Sequence, residues 1–246
     1  MSPTPVHQKN WQFTPEGDTC IIIRFRHEGI STEVNRLCLQ AAQNIANARL
    51  PGINDIVPAF NCVGIHYQAS CWGKAPYHKL CQALDSLLLQ PATPSTSRPE
   101  QAVEIPVCYD PEYGIDLDLL AKKVQCTIEQ LITMHTARAM RVFMLGFAPG
   151  MPYMGLLDQK LDVPRLPTPR LAIAAGSVAI ANRQTVIYPQ ASPGGWHIIG
   201  RTPITLFNPE HAPHSLLSPG NTVRFKAISK ETFTHLQNNS HEHPGY

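Results

Sequence analysis

The stretch SPGGWHIIGRT, residues 192–202, sets Ser192, His197, Arg201 and Thr202 among glycines that free the backbone to take unusual shapes. Arginine offers a planar fork that grips a carboxylate or phosphate through two parallel hydrogen bonds. Arg170 in TPR and Arg201 in GRT are therefore the candidate anion-binding residues, with ordinary barrel surface as the alternative for each. Ser177, Gln184, Thr185, Ser192 and Thr202 bring neutral donors and acceptors to the ends of expected strands, a set suited to an amide-like substrate or an oxyanion. Gly194 and Gly195 let the main chain approach a ligand or partner while Trp196 packs; the bland alternative is a glycine turn beside a core tryptophan. His135 falls on the apolar stripe of an expected helix, as either a satisfied core histidine or a catalytic one.

Charge narrows the ligand. Residues 141–220 hold six basic side chains (Arg141, Lys160, Arg165, Arg170, Arg183, Arg201) against three acidic ones (Asp158, Asp162, Glu210), which favours a small anion. The whole chain carries only +2 and no run of lysine or arginine, so no nucleic-acid partner is expected. A serine nucleophile would need a neighbouring base and its orienting acid, and this segment has few acids and no GxSxG turn. No phosphate-binding glycine loop, HExxH pair or paired cysteines occur, so neither a nucleotide nor a metal is placed on this chain; His241 and His243 sit in a polar tail expected to fray.

The elements that must hold these residues can be read from periodicity. CIIIRF (20–25) is the first expected strand, and a helix follows from an N-cap at Ser31 or Thr32, with Val34, Leu37, Cys38, Ala41, Ile45 and Ala48 on one face. DIVPAF and CVGIHY read as two strands or as one broken at Pro58; a second helix covers 77–89, and VEIPVCY (103–109) reads as a strand after the loop 90–101. This β-α-β-β-α-β order predicts a ferredoxin-like sandwich over residues 1–112. Two helices lead into the second half, the better one opened by the capping box TIEQ from Thr127. From Arg141 the short runs RVFMLGF, GSVAIA, QTVIYP, WHIIGR, ITLF and NTVRF, separated by glycine and proline turns, predict an all-β barrel or sandwich.

Composition agrees with two domains in 246 residues, and the 23 prolines, nearly double the usual ~5% share, argue against a helix-dominated chain. The start MSPTPVHQKNW lacks the marks of a signal peptide, and no stretch reaches the ~18 apolar residues of a membrane span, so a cytoplasmic protein is expected. Seven cysteines, odd in number and mostly at apolar positions, are expected to be reduced and buried.

FMLGFAPGMPYMG (143–155), VPRLPTPRLAIAAGSVAIANRQTVIYP (163–189) and SPGGWHIIGRTPITLFNP (192–209), preceded by VEIPVCYDPEYGIDLDLLA (103–121), closely resemble the allophanate hydrolase subunit 1 family. The resemblance implies a ferredoxin-like domain (1–112) followed by a cyclophilin-like β-barrel domain with two leading helices (113–246). It also implies a role as one component, the B-type, of an ATP-dependent 5-oxoprolinase. Inactive alone, it would open 5-oxo-L-proline to L-glutamate together with a C-type chain, similar to allophanate hydrolase subunit 2, and an A-type chain. A KipI-like inhibitor of a sensor histidine kinase and a urea carboxylase or allophanate hydrolase-type chain of amide metabolism are the alternatives within the family. With the oxoprolinase activity, Arg170, Ser177, Gln184 and Arg201 are assigned to catalysis, and Thr185, Ser192, Gly194, Gly195, Thr202 and His135 to substrate binding. The family's AGGQTGIYP reads ANRQTVIYP here, so Asn182, Arg183 and Val186 replace small positions.

Overall fold

The computed structural model describes residues 9–89 and 102–239 and divides into two compact units, residues 1–97 and 98–246. In the first unit, strands β1 (Trp11–Glu16), β2 (Cys20–Phe25), β3 (Ile53–Pro58) and β4 (Cys62–Tyr67) form an antiparallel sheet of order β1-β2-β4-β3. Ile21, Ile23 and Phe25 alternate along β2, and Val63, Ile65 and Tyr67 along β4, so one face of the sheet is apolar. Helices α1 (Thr32–Ala48) and α2 (Pro76–Leu88) cover that face with Val34, Cys38, Ala41, Ile45, Leu80 and Leu84. The Ser31 hydroxyl accepts from the Val34 N–H and starts α1 as expected. Leu37, assigned to its buried stripe, is instead 43% exposed, and Asn35 is buried in its place, its amide bonded to the Ala59 carbonyl.

The expected order of this unit needs correction. The sheet edge beside β2 is filled by β1, which precedes it in sequence and pairs with it as a hairpin. Residues 103–108, expected to close this sheet, lie in the second unit as strand β5 (Val103–Cys108). The reason is visible in the pairing. Ile105, Val107 and Cys108 are buried, and β5 runs parallel to a strand more than a hundred residues later.

That later strand is β13 (Thr222–Ile228), and with β6 (Met140–Leu145), β7 (Pro152–Gly155), β9 (Ser177–Ala181), β10 (Gln184–Ile187) and β12 (His197–Arg201) it closes a barrel of order β10-β7-β6-β13-β5-β12-β9. A closed barrel is one of the two forms expected from the strand spacing, and the one that the family resemblance implies. All seven strands send side chains into one core, which Leu117, Leu120 and Leu131 of helices α3 (Leu117–Lys123) and α4 (Ile128–Thr136) join. Thr127 and Gln130 make the capping box of α4. ITLF (204–207), expected as a strand, contributes only a bridge between Phe207 and Ser215. A separate two-stranded ribbon, β8 (Arg170–Ile173) with β11 (Ser192–Gly194), was not foreseen. Helix α5 (Lys230–Asn239) completes the unit, and the tail carrying His241 and His243 and the loop 90–101 lie outside the described residues.

All seven cysteines are free thiols, but only Cys20, Cys38 and Cys108 are buried, and Cys71 is exposed. Among the described residues no helix is long and apolar enough to cross a membrane.

Candidate functional site

Four neighbouring barrel strands, β7, β10, β9 and β12, are apolar on both faces. Their inward side chains, such as Met154, Ile187, Val178, Ile180 and Ile199, belong to the barrel core. Their outward ones, Tyr153, Val186, Ala179, Ala181 and Ile198, gather with Ala148, Met151, Ile173, Tyr188 and Trp196 into a second cluster on the barrel wall. The β8–β11 ribbon and the loop before β7 therefore have an apolar surface to pack on. Polar groups with chemistry ring this patch.

Trp196 is fixed within the patch, 4% exposed and edge-on to Tyr153 with ring centroids 5.9 Å apart. The Arg165 guanidinium stands 5.2 Å from the centre of the Trp196 ring. The next residue, Leu166, donates its N–H to the Gly195 carbonyl at 2.7 Å, tying the two segments together. A Cβ on Gly194 would lie 2.3 Å from the Tyr188 hydroxyl, so only glycine lets that ring tuck against the ribbon. Burial pushes the Tyr188 hydroxyl up to about 12, aided by Tyr153; Arg165, Arg170 and a hydrogen bond from the Trp196 backbone pull the other way.

The residues singled out from sequence fall into three groups. Arg170 has its fork already filled: its two terminal nitrogens donate to Asp116 at 2.7 and 3.0 Å, and Asp116 also accepts the Ile198 N–H at 2.7 Å. Arg201 turns its Nε–H to the Ala175 carbonyl at 2.8 Å. The Arg170 fork is thus filled by a carboxylate, whereas Arg201 is held through its Nε–H. Ser177 and Thr202 are buried around the Gly176 turn, where the Thr202 N–H donates to the Gly176 carbonyl and the Tyr188 N–H to the Ser177 carbonyl.

His135 and Thr185 do meet, but inside the barrel, each at 0% exposure. Thr185 gives its one hydroxyl proton to the Ala179 carbonyl and so must accept from His135 Nε2, 3.0 Å away. Nδ1 is then the acceptor for the Tyr109 hydroxyl at 2.7 Å. The imidazole is neutral, fully satisfied and packed on Phe225, and burial holds its pKa down at about 3. This is the core reading of His135.

Of the remaining residues, Ser192, Gly194 and Gly195 lie on or next to the ribbon and Gln184 lies on the barrel. Ser192 sits in β11, and its hydroxyl is buried without a partner among the described residues; Gly194 and Gly195 follow. Gln184 opens β10, in register with Ala181 and Gly155. Between Ala181 and Gln184, Asn182 (φ 49) and Arg183 (φ 60) make a two-residue hairpin turn that requires left-handed backbone at both positions. The Arg183 side chain bonds the Leu157 carbonyl, so the glycine positions of the family motif serve a turn here.

Sequence reasoning counted Arg165 among the basic side chains without singling it out, and missed Tyr153, Tyr188 and Phe147. Phe147 is 67% exposed and has φ 70, a conformation that bulky side chains rarely adopt. Residues Leu145–Gly150 line a hollow of about 350 Å³, and Ala148 within this loop belongs to the Trp196 cluster. Phe147 thus sets an exposed ring on left-handed backbone, in a loop whose next residue, Ala148, packs into the Trp196 cluster. Among the described residues no three metal-ligating side chains gather.

Residues 11–217 match the carboxyltransferase domain family, subdomain C and D. The chain is 37% identical over 230 residues to the B component of the 5-oxoprolinase of Bacillus subtilis (strain 168), covering 91% of this chain and 95% of that one. The crystal structure of TTHA0988 superposes on 85% of the chain with a TM-score of 0.74 at 34% identity, yet this chain spans only 40% of that protein. The K. lactis urea amidolyase shares the fold at 18% identity, with a TM-score of 0.75 over 96% of this chain and 16% of the enzyme.

Proposed function

The chain belongs to the carboxyltransferase domain family, subdomain C and D, and because it also matches the B component of a 5-oxoprolinase nearly end to end, we propose that it is the B component of an ATP-dependent 5-oxoprolinase. The observation that carries this reading is the 37% identity over 95% of that relative's length. In the assembled enzyme 5-oxo-L-proline is opened to L-glutamate, with C-type and A-type chains as partners and a cytoplasmic setting that suits seven free thiols. A lactam is a stabilised amide, and its opening places negative charge on the carbonyl oxygen, so the site must supply donors and positive potential there while admitting the one water that the hydrolysis consumes. The Trp196 cluster holds the Arg165 charge at its edge. Arg170 serves this face as a positioning residue, because its Asp116 partner holds the Ile198 backbone.

The described residues of this face do not make a nucleotide cradle. The Arg170 fork is filled by Asp116 and is not free to take a phosphate. We infer that ATP is used in the assembled complex and that this component is inactive alone. Co-purification with C-type and A-type chains should give glutamate from 5-oxoproline only when ATP and all three chains are present. A folded three-chain complex that releases no ATP-dependent glutamate overturns the reading.

A further inference from the structure

Five arginines lie between residues 141 and 201, and four have at least one donor engaged by the protein itself: Arg141 by Gly220, Arg170 by Asp116, Arg183 by Leu157 and Arg201 by Ala175. Arg165 differs. Among the described residues it has no carboxylate partner and no hydrogen-bond acceptor, yet its guanidinium is held 5.2 Å from the Trp196 ring centre. The ring beneath it is buried and wedged against Tyr153, and the backbone on either side is joined by the Leu166 to Gly195 hydrogen bond. A guanidinium seated on an indole has already given up much of its freedom, while the N–H groups at its rim stay available to an anion. The ring packs in an apolar cluster with Met151 and Ala148, both buried, and with Tyr153, which is partly exposed.

We propose that Arg165, seated on Trp196, takes the carboxylate of the substrate and thereby selects lactams that bear one. The identity of that substrate rests on the 5-oxoprolinase reading; the site itself, for a small carboxylate with an apolar body, does not. Arg165 is a substrate-binding residue in this account. It anchors the end of the molecule that does not react, so its loss should appear as binding rather than as turnover.

Two measurements keep the proposal and the reading apart. In the assembled three-chain enzyme, Arg165→Met should raise KM for 5-oxoproline by about 10- to 100-fold, the loss of one charge-assisted fork, with kcat within about threefold, and Arg165→Lys should recover part of the loss. An unchanged KM, or a fall in kcat alone, overturns the proposal. On the full chain alone, the Trp196 indole N–H signal, assigned through Trp196→Phe, should shift on titration with 5-oxoproline, and 2-pyrrolidinone, which lacks the carboxylate, should bind about tenfold more weakly or worse. In Arg165→Met the two ligands should bind alike. No shift in the wild-type chain, or equal affinity for the two ligands there, overturns the proposal whether or not the complex makes glutamate.

Discussion

Asp116 and Arg170 form the most consequential ion pair of the barrel unit. The carboxylate side chain is 5% exposed and the guanidinium 30%, and the carboxylate also holds the Ile198 N–H. Removing the arginine leaves a buried charge with one backbone donor. Arg170→Met is therefore expected to destabilise the chain by about 3 kcal/mol, the low end for halving a buried pair because the arginine is partly solvated. Urea unfolding of the isolated chain measures this; a loss under about 1 kcal/mol would show that solvent already screens the pair. The sequence did mark Arg170 as a residue that grips an anion. It could not show that the anion is Asp116, 54 residues upstream, because ion pairs between distant segments leave no spacing to read. Arg165 was not singled out, for the converse reason: what distinguishes it is the ring under it and the absence of a described partner, neither of which is local.

Helix α4 brings a histidine into the barrel interior, and that placement makes stability depend on pH. In the folded protein His135 has its pKa held down at about 3 by burial, whereas unfolded it titrates near 6.5. Between those values the unfolded chain binds the extra proton, so stability rises with pH, is highest above about 6.5 as far as this group is concerned, and falls as the solution is acidified. From pH 6.5 to pH 5 the loss from His135 should reach about 2 kcal/mol, and His135→Gln should show a correspondingly flatter profile despite lower stability at neutral pH. Chemical denaturation at both pH values checks it; parallel profiles would refute it. The start of α4, its capping box and its apolar stripe were plain in the sequence, since these are signals within one turn of helix. Strand β1 was not legible because WQFTPE mixes polar residues with a proline and its edge position asks for little apolar surface. Strand β5 was legible as a strand but not as part of the barrel, because its partners β12 and β13 are far away in sequence.

At the scale of the molecule, every pairing that closes the barrel is made by strands between residues 103 and 228. Residues 98–246 alone should therefore fold, giving a cooperative thermal transition and a dispersed amide spectrum. A collapsed, non-cooperative product would mean that the first 97 residues are needed for the barrel to form. The sequence supported a barrel through its turn spacing, yet gave no strand order, because the parallel union of β5 with β13 is set by the closure of the whole sheet rather than by a local turn.

Strand β13 stands between β6 and β5, so the barrel is a curled sheet with two bare rims until residue 228 is in place. During synthesis the ribosome releases β5 well before either partner, β12 or β13, and until both have followed at least one rim of β5 stays bare. A cell that translates this message quickly, or when warm, must shelter the growing chain or lose a share of it to clumping. Slower translation in the cold should raise the yield of soluble protein more than any change to the finished surface would.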